Sequence, residues 1–498
     1  VAMSSVQKEP RWGMRSGILF VAIVLALVLG GCTAARPVGH APATVDQATS
    51  RPPLTPAIGT APVTGDQATS RPPFMPALGT APEIQIIWLV RSEQIEQTWE
   101  NEIIAGFEAS HPGVKIDLVV APWPDFDSTL QAMTDAGAPP DIWSHWGPSG
   151  FQDYVKRGLV ADLTPLIEVD RFDLSDFMPD VLKIYTVDGK VMGLPILTTG
   201  SFIFYNKDAF DAARVKYPPT NWDDKTWTWD ALLEKAKALT KDTDDPQRAM
   251  FGYFGDAWPN DAYCWLFGQD LYPDSAYQTG FASESYLDKP GCVKGFQANQ
   301  DIVWKLHYAP DPAQSNAISG GGDLFQTGKV GMCFTGGWGW WNYSAAHLEK
   351  KFRWGVAALP WGGDNRRDVV FTDPWMLSSK TGHPQEAWAF LKYLVSADVQ
   401  EQWMNLTGAP PVRLSLAEKW YQQFPSMKPE EVKEVALGAI KYGRESPNHL
   451  LVKFDQLDQV VKSAVDPINN NEKKAADVMG DVNIKLTAAL KQIEADYK

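Results

Sequence analysis

Cysteine is scarce in this chain: four residues in 498, Cys32, Cys264, Cys292 and Cys333. No two are spaced as C-x-x-C, so a zinc ribbon or a redox dithiol has no support. The seven histidines are scattered, with no pair at metal-ligand spacing. Neither H-E-x-x-H nor G-x-S-x-G occurs, which removes the usual signs of a zinc protease or a serine-hydrolase elbow. No metal and no cofactor is expected. Positive charge is also in short supply, with 45 Lys and Arg against 60 Asp and Glu, a net charge of -15. Such a surface repels polyanions and excludes nucleic acid as a natural partner. Beyond Leu29 there is no run of eighteen apolar residues, so nothing later in the chain reads as membrane-spanning.

What the chain does have begins at its N-terminus. Met14-Arg15 precedes an apolar run from Ile18 to Leu29 and then Leu29-Gly30-Gly31-Cys32. A short positive start, a short apolar stretch and small residues before a cleavage point predict a secretory signal over 1–31. Cys32 directly after Leu-Gly-Gly resembles a bacterial lipobox, which implies a lipidated Cys32 and an extracytoplasmic protein anchored to the cell membrane by that lipid.

Residues 32–82 read as a tether. Ala41-Pro42-Ala43-Thr44 through Arg51-Pro52-Pro53 is echoed by Ala61-Pro62-Val63-Thr64 through Arg71-Pro72-Pro73. Two Pro/Thr/Ala-rich copies have too little apolar mass for a core and too few units for a solenoid. Proline keeps such a segment extended, with a reach of up to roughly 150 Å.

Folded character starts at Ile84. Ile84–Val90 and Val114–Val120 have strand length and composition, and Pro139-Pro140-Asp141-Ile142-Trp143 opens a third, short strand. Ile95, Trp99, Ile103 and Phe107 repeat at helical spacing up to His111-Pro112-Gly113, and Phe126, Leu130 and Met133 mark a second helix. Alternating strands and helices predict an α/β fold with a parallel sheet covered on both faces. Ligands bind beyond the carboxyl ends of such strands. Those ends carry Leu89–Arg91, Trp123 and Ser144–Trp146.

The 21 tryptophans are too many for core packing alone to be assumed. Gly336-Gly337-Trp338-Gly339-Trp340-Trp341 follows a predicted strand. Its glycines allow backbone to approach a ligand, helix-start amides can donate to it, and Trp338 offers a flat apolar face with a polar edge. The run lacks the lysine and spacing of a phosphate loop. Trp340 and Trp341 divide between site and core. Asp242-Thr243-Asp244-Asp245 lacks the glycine and distal glutamate of a calcium loop and reads as a solvated turn. Cys333 sits in a strand-like run and reads as a packed free thiol. A Cys264–Cys292 bridge would close a loop of about 28 residues and contribute about 3 kcal/mol.

The ordered succession HPGVKIDL, GAPPDIWSHWGPSGFQDYVKRGLVADLTPLI, GKVMGLPILTTGSFIFYNKDAF, TWTWDALLEKAKALT, FQTGKVGMCFTGGWGWW, RWGVAALP and GHPQEAWAFLKYLVSADVQEQW resembles bacterial extracellular solute-binding proteins of ABC importers. It is most similar to the sugar-binding cluster that includes maltose-binding protein. The resemblance covers about 83–498. It implies a periplasmic-binding-protein-like fold, two α/β lobes joined by crossover strands with ligand held between them. Crossovers then fall near Leu197–Ser201, Phe371–Trp375 and Ala409–Arg413, placing 83–199 plus 372–412 in an N-terminal lobe and 200–371 plus 413–498 in a C-terminal lobe. Trp338 matches the family's ligand-facing tryptophan. His145 and Trp146 lie where the family presents side chains to a sugar, Asp256 and Trp258 where it often places aromatics, and Arg413 matches a frequent arginine. Asp141 is expected to act as a cap. Thr199 sits at the first crossover, and Asp373 and Trp375 at the second, where a carboxylate can accept two hydroxyl hydrogen bonds. Pro148 and Ser149 replace charged residues of maltose-binding protein. The implied partners are a small sugar, an ABC permease and, through lipid alone, a membrane; a monomer is expected. Two other readings stay open: an anchored carbohydrate-active enzyme, whose two carboxylates need a separation only a structure gives, and a solute-binding protein for a non-sugar ligand such as a glycerol phosphodiester or an amine.

Overall fold

The computed structural model describes residues 83–497 apart from 92–93 and 146–148. The signal segment, the lipobox residue Cys32, the tether and Trp146 lie outside the described residues. The strands are β1 Ile84–Val90, β2 Val114–Val120, β3 Ile142–Trp143, β4 Thr186–Val187, β5 Lys190–Val191, β6 Leu194–Thr199, β7 Ser201–Asn206, β8 Phe251–Asp256, β9 Val330–Gly336, β10 Trp354–Ala357, β11 Asp368–Leu377 and β12 Gly443–Glu445.

β1 pairs in parallel with β2, Ile84 opposite Val114, and with β3, Trp88 opposite Ile142. The helix Gln94–Ser110 links β1 to β2 and buries Trp99, Ile103 and Phe107. It stops before Gly113, whose positive φ of 91° turns the chain into β2. The parallel part of the sheet is therefore built as its sequence pattern predicts. Its other side is mixed: β11 pairs antiparallel with β3 and with β6, and in parallel with β12. A second sheet has the order β10-β7-β9-β8, with β8 parallel to β9 and the other pairs antiparallel.

Two separate cores back these sheets, and the molecule is built of two α/β lobes. One core holds Trp88, Trp99, Phe107, Phe126, Trp143, Trp375, Trp388 and Val412. The other holds Phe204, Tyr253, Trp265, Phe334, Trp340, Trp354, Phe371 and Leu416. The chain changes core between Ile196 and Phe202, between Phe371 and Trp375, and between Val412 and Leu416, with Met404 alone of the 375–412 segment packing into the second core. At the first change only Gly200 separates β6 from β7. A Cβ there would sit 2.2 Å from Asp368 Oδ2, so a side chain is excluded where the crossing strands touch. The buried Asp368 carboxylate accepts hydrogen bonds from the Ser201 amide at 3.1 Å, fixing that junction.

Cys264 and Cys292 are disulfide-bonded and join helix Asp261–Leu266 to helix Pro290–Trp304. Cys333 is a buried free thiol on β9, 3.8 Å from the Tyr343 hydroxyl. Asp141 is structural: its Oδ2 accepts from the Ile87 amide at 2.8 Å, and its other oxygen accepts from the Thr381 hydroxyl. Among the described residues no helix is long and apolar enough to cross a membrane.

Candidate ligand-binding cleft

A cavity of about 330 Å³ opens where β6, β11 and the turn after β9 meet. Arg91, at the end of β1, and Trp123, after β2, face it from one lobe; Trp258, Trp338, Trp341 and Asn342 face it from the other. His145, Leu197, Thr199, Phe371, Asp373, Asn448 and His449 complete the lining.

The geometry of the Gly-Trp run follows from helical spacing. Trp338 caps the helix Gly339–Ala345. Residues three and four apart share a helix face, while residues two apart point away from one another. Trp338, Trp341 and Asn342 therefore face the cavity together. Trp340, expected as a ligand contact, points the other way. It is fully buried and packs on Phe202, Trp420 and Phe424 with ring centroids 4.8–5.6 Å apart. Trp341 is the residue that the run supplies in its place. Gly336 and Gly337 let the turn close: a Cβ on Gly336 would lie 2.1 Å from the Trp338 ring, and one on Gly337 2.0 Å from Thr199.

The aromatic wall is continuous. Phe371 lies edge-on to Trp338 at 5.2 Å and nearly parallel to Trp258 at 6.3 Å. Trp258 meets Trp123 of the opposite lobe at 6.0 Å and 90°. Asp256 lies outside this lining. It is exposed overall, yet surrounding protein and then Asp323 push its carboxyl up to about 6, against the Thr335 hydroxyl at 3.5 Å.

β11 carries Phe371 and Asp373 to the cavity but not Trp375. Alternation would put all three on one face. The pairing of β11 with β6 shifts register between Asp373 and Pro374, and Trp375 enters the first core, 5.3 Å from Trp88. Its expected ligand contact is thus corrected to a core role. Arg413 is likewise committed elsewhere. Its guanidinium donates to Asp176 at 3.0 Å and twice to the Val395 carbonyl, at 2.8 and 2.6 Å.

Polar groups converge at the cavity floor. The buried His145 places Nε2 2.7 Å from the Thr372 carbonyl and 3.1 Å from Asp373 Oδ1. Its ring stacks on His449, centroids 3.7 Å apart at 17°. His449 Nδ1 is hydrogen-bonded to Glu445, four residues before it at the end of β12, and Glu445 Oε2 accepts from Thr372 Oγ1 at 2.9 Å. Burial pushes the Glu445 carboxyl up to about 8 and the His449 imidazole down to about 4. Burial, then the neighbouring His449, also lowers His145. His145, Asp373 and His449 offer donor atoms within 4.8 Å of one another. Face-to-face rings direct their lone pairs side by side, however, and not at one point between them. Asn448, His449 and Glu445 had no signal in the sequence, since they lie at the end of β12 and just after it, about 300 positions after His145, and carry no local motif.

A family model for bacterial extracellular solute-binding proteins matches residues 102–429. The chain belongs to that family. A putative binding protein of Brucella abortus is 28% identical over 64% of this chain and 74% of its own length. The multiple sugar-binding protein of Streptococcus mutans is 25% identical over 62% of this chain and 70% of its own. In fold, the chain is similar to a Listeria monocytogenes ABC substrate-binding protein solved with cycloalternan. The TM-score is 0.68 at 20% identity, covering 82% of this chain and 99% of the other. It is also similar to a Thermus thermophilus maltotriose binding protein bound with maltotriose, with a TM-score of 0.64 at 18% identity, covering 81% and 100%. The two-lobed α/β architecture seen here agrees with those neighbours, and the cavity is lined by Trp123, Trp258, Trp338, Trp341 and Phe371.

Proposed function

We propose that this solute-binding protein captures a carbohydrate between its lobes by closure and presents it to an ABC permease. The observation that carries the reading is the cavity lining: four tryptophans and Phe371 beside Arg91, Asp373, His145, His449 and two asparagines. Flat apolar rings suit the C–H faces of a sugar, and charged and amide groups suit its hydroxyls. The sugar-binding relatives and neighbours support the same class. Trp338, Trp258, Trp341, Trp123, Asp373, His145, Thr199 and Arg91 are the proposed contacts, and Trp146 belongs with them by its place after His145. The lobes are 83–199 with 372–412 and 200–371 with 413–498, a division supported by the core each segment packs into. Lipidation at Cys32 and a monomeric state complete the reading; a relative named as a lipoprotein in Streptomyces antibioticus supports the anchor.

Hydrolysis is disfavoured. Glycosidases of the usual kind need two carboxyl groups flanking the bond. Asp373 is the one carboxylate among the described lining residues. The test is a thermal-shift and calorimetric screen over glucose, maltose, maltotriose, cyclodextrins and arabino-oligosaccharides, with product analysis. A stabilising ligand recovered intact is expected. Release of smaller sugars would establish an enzyme, and absence of any carbohydrate binding would sink the reading.

A further inference from the structure

The pair Glu445–His449 is built differently from the rest of the cavity. Glu445 ends β12 and His449 lies in the short helix Pro447–Leu450, so both come from the segment that follows the last crossover. Both are at least 95% buried, yet His449 lines the ligand cavity. Its Nδ1 is taken by Glu445 Oε1, which leaves Nε2 as the ring nitrogen to meet a ligand. Glu445 is itself held: Oε2 accepts from Thr372 Oγ1 at 2.9 Å, and Oε1 lies 3.3 Å from the Thr372 amide.

Proton counting fixes what Nε2 can offer. Two oxygens and two nitrogens share the protons of this pair. With one proton in the Glu445–His449 bridge, the second sits on Nε2. This holds whether the bridge is read as carboxylic acid with neutral imidazole or as carboxylate with imidazolium. Once the bridge proton is lost, the remaining proton must move to Nδ1, because a carboxylate facing a bare Nδ1 would set two lone pairs against each other. Nε2 is then a lone pair. We propose that His449 meets the ligand as a hydrogen-bond donor through Nε2–H, against an acceptor-only oxygen such as a ring or glycosidic oxygen. Deprotonation of the Glu445–His449 bridge inverts that donor to an acceptor and makes ligand capture proton-linked. Glu445 is the positioning residue of this device. The inference rests on the carbohydrate reading above for the identity of the ligand, on the Nδ1–Glu445 hydrogen bond for the bridge, and on burial of the Glu445 carboxyl for the proton that the bridge keeps.

Burial and Asp373 favour a retained bridge proton on Glu445, while His145 and the Thr372 hydroxyl and amide work against it. Stacked His145 lies on one side, with its own Nε2 turned to the Thr372 carbonyl. Asp373 approaches from β11, Tyr185 donates to the Thr372 carbonyl at 2.5 Å, and Arg91 lies across the cavity. Burial raises the Glu445 carboxyl to about 8, which favours a bridge that keeps its proton at neutral pH.

Two measurements decide the matter. Side-chain nitrogen NMR of ligand-free protein should show His449 with its proton on Nε2 at neutral pH and on Nδ1 by about pH 9.5. Calorimetry with the tightest carbohydrate from the screen should show affinity level below a pH of about 8. Above it affinity should fall by up to about tenfold per pH unit, with one proton taken up on binding. Glu445→Gln, whose amide can donate to Nδ1 but does not titrate, should hold Nε2–H throughout and abolish the alkaline fall. A titration that keeps Nε2–H to about pH 9.5, or an alkaline fall that persists in Glu445→Gln, overturns the switch. A flat wild-type affinity profile overturns the ligand contact. If no carbohydrate binds at neutral pH, the functional reading falls, and the ligand-free NMR titration still decides the tautomer.

Discussion

Trp338 and Trp340 stand two positions apart on one turn and face opposite ways. Trp338 is half-buried at the cavity, and Trp340 is fully enclosed by Phe202, Trp420 and Phe424. Trp338→Ala should weaken carbohydrate binding by about 1–3 kcal/mol with the fold intact, the scale of a partly covered aromatic anchor. Trp340→Ala should instead cost about 3–5 kcal/mol of stability, as a cavity left in a packed core does. Denaturant unfolding and calorimetry on both variants separate the two effects; an affinity loss in Trp340→Ala with unchanged stability would reverse the assignment. Arg413 makes the same point for charge. Burial pushes the Asp176 carboxyl up, but the Arg413 guanidinium and the Ser415 amide and hydroxyl outweigh it and hold the carboxyl below its ordinary range. A depressed carboxyl stabilises the fold above its unfolded pKa, and the contribution is lost as pH falls through the folded value. Arg413→Ala should cost about 1–3 kcal/mol at neutral pH, since the partner keeps some water contact. The gap to wild type should narrow in acid, and ligand affinity per folded molecule should not change. The type of each of these residues was legible in the sequence. Its direction was not, because a side chain's direction depends on the element it lands in.

At the scale of elements, periodic segments were the most legible. The strands at 84–90 and 114–120 and the helix between them fall where apolar spacing puts them. β11 was less so: the register shifts at Pro374, which has no ladder N–H to give, and that mid-strand shift breaks the alternation that would place Trp375 with Asp373. The disulfide belongs to this scale as well. It ties two helices across 28 positions, both cysteines being fully buried. Replacing both cysteines by alanine should lower stability by about 3–4 kcal/mol in the chain-entropy account. Denaturant midpoints measured for the double variant should drop with little change in ligand affinity, since neither cysteine lines the cleft.

For the whole molecule, the informative contact is Trp123 against Trp258, one ring from each lobe, edge to face at 6.0 Å. Such pairs contribute about 0.5–1.5 kcal/mol beyond their area. The contact exists only while the lobes are together, so it biases the closed arrangement that a bridging ligand also favours. Trp123→Ala should reduce affinity by about 0.5–1.5 kcal/mol, mostly through faster dissociation. Solution scattering should show the radius of gyration of wild-type protein falling on ligand addition, with less compaction in the variant at equal ligand concentration. Compaction that is identical in both would remove Trp123 from closure.

Local chemistry settles what one short stretch can settle. The apolar run before Cys32, the Pro/Thr-rich repeat, the strand–helix–strand order and the abundance of tryptophan are all properties of neighbours in sequence. The alternating order was enough for an α/β reading, and the excess of aromatics pointed to the stacking role proposed for the cavity tryptophans. The cavity floor is of another kind. His145, Asp373, Glu445 and His449 meet from three segments, about 300 positions apart at the extremes. No periodicity links residues so distant. Their proximity follows from β11 crossing between two cores and from the C-terminal segment packing back beside it. Chain crossing, strand register and burial then set which nitrogen bears a proton.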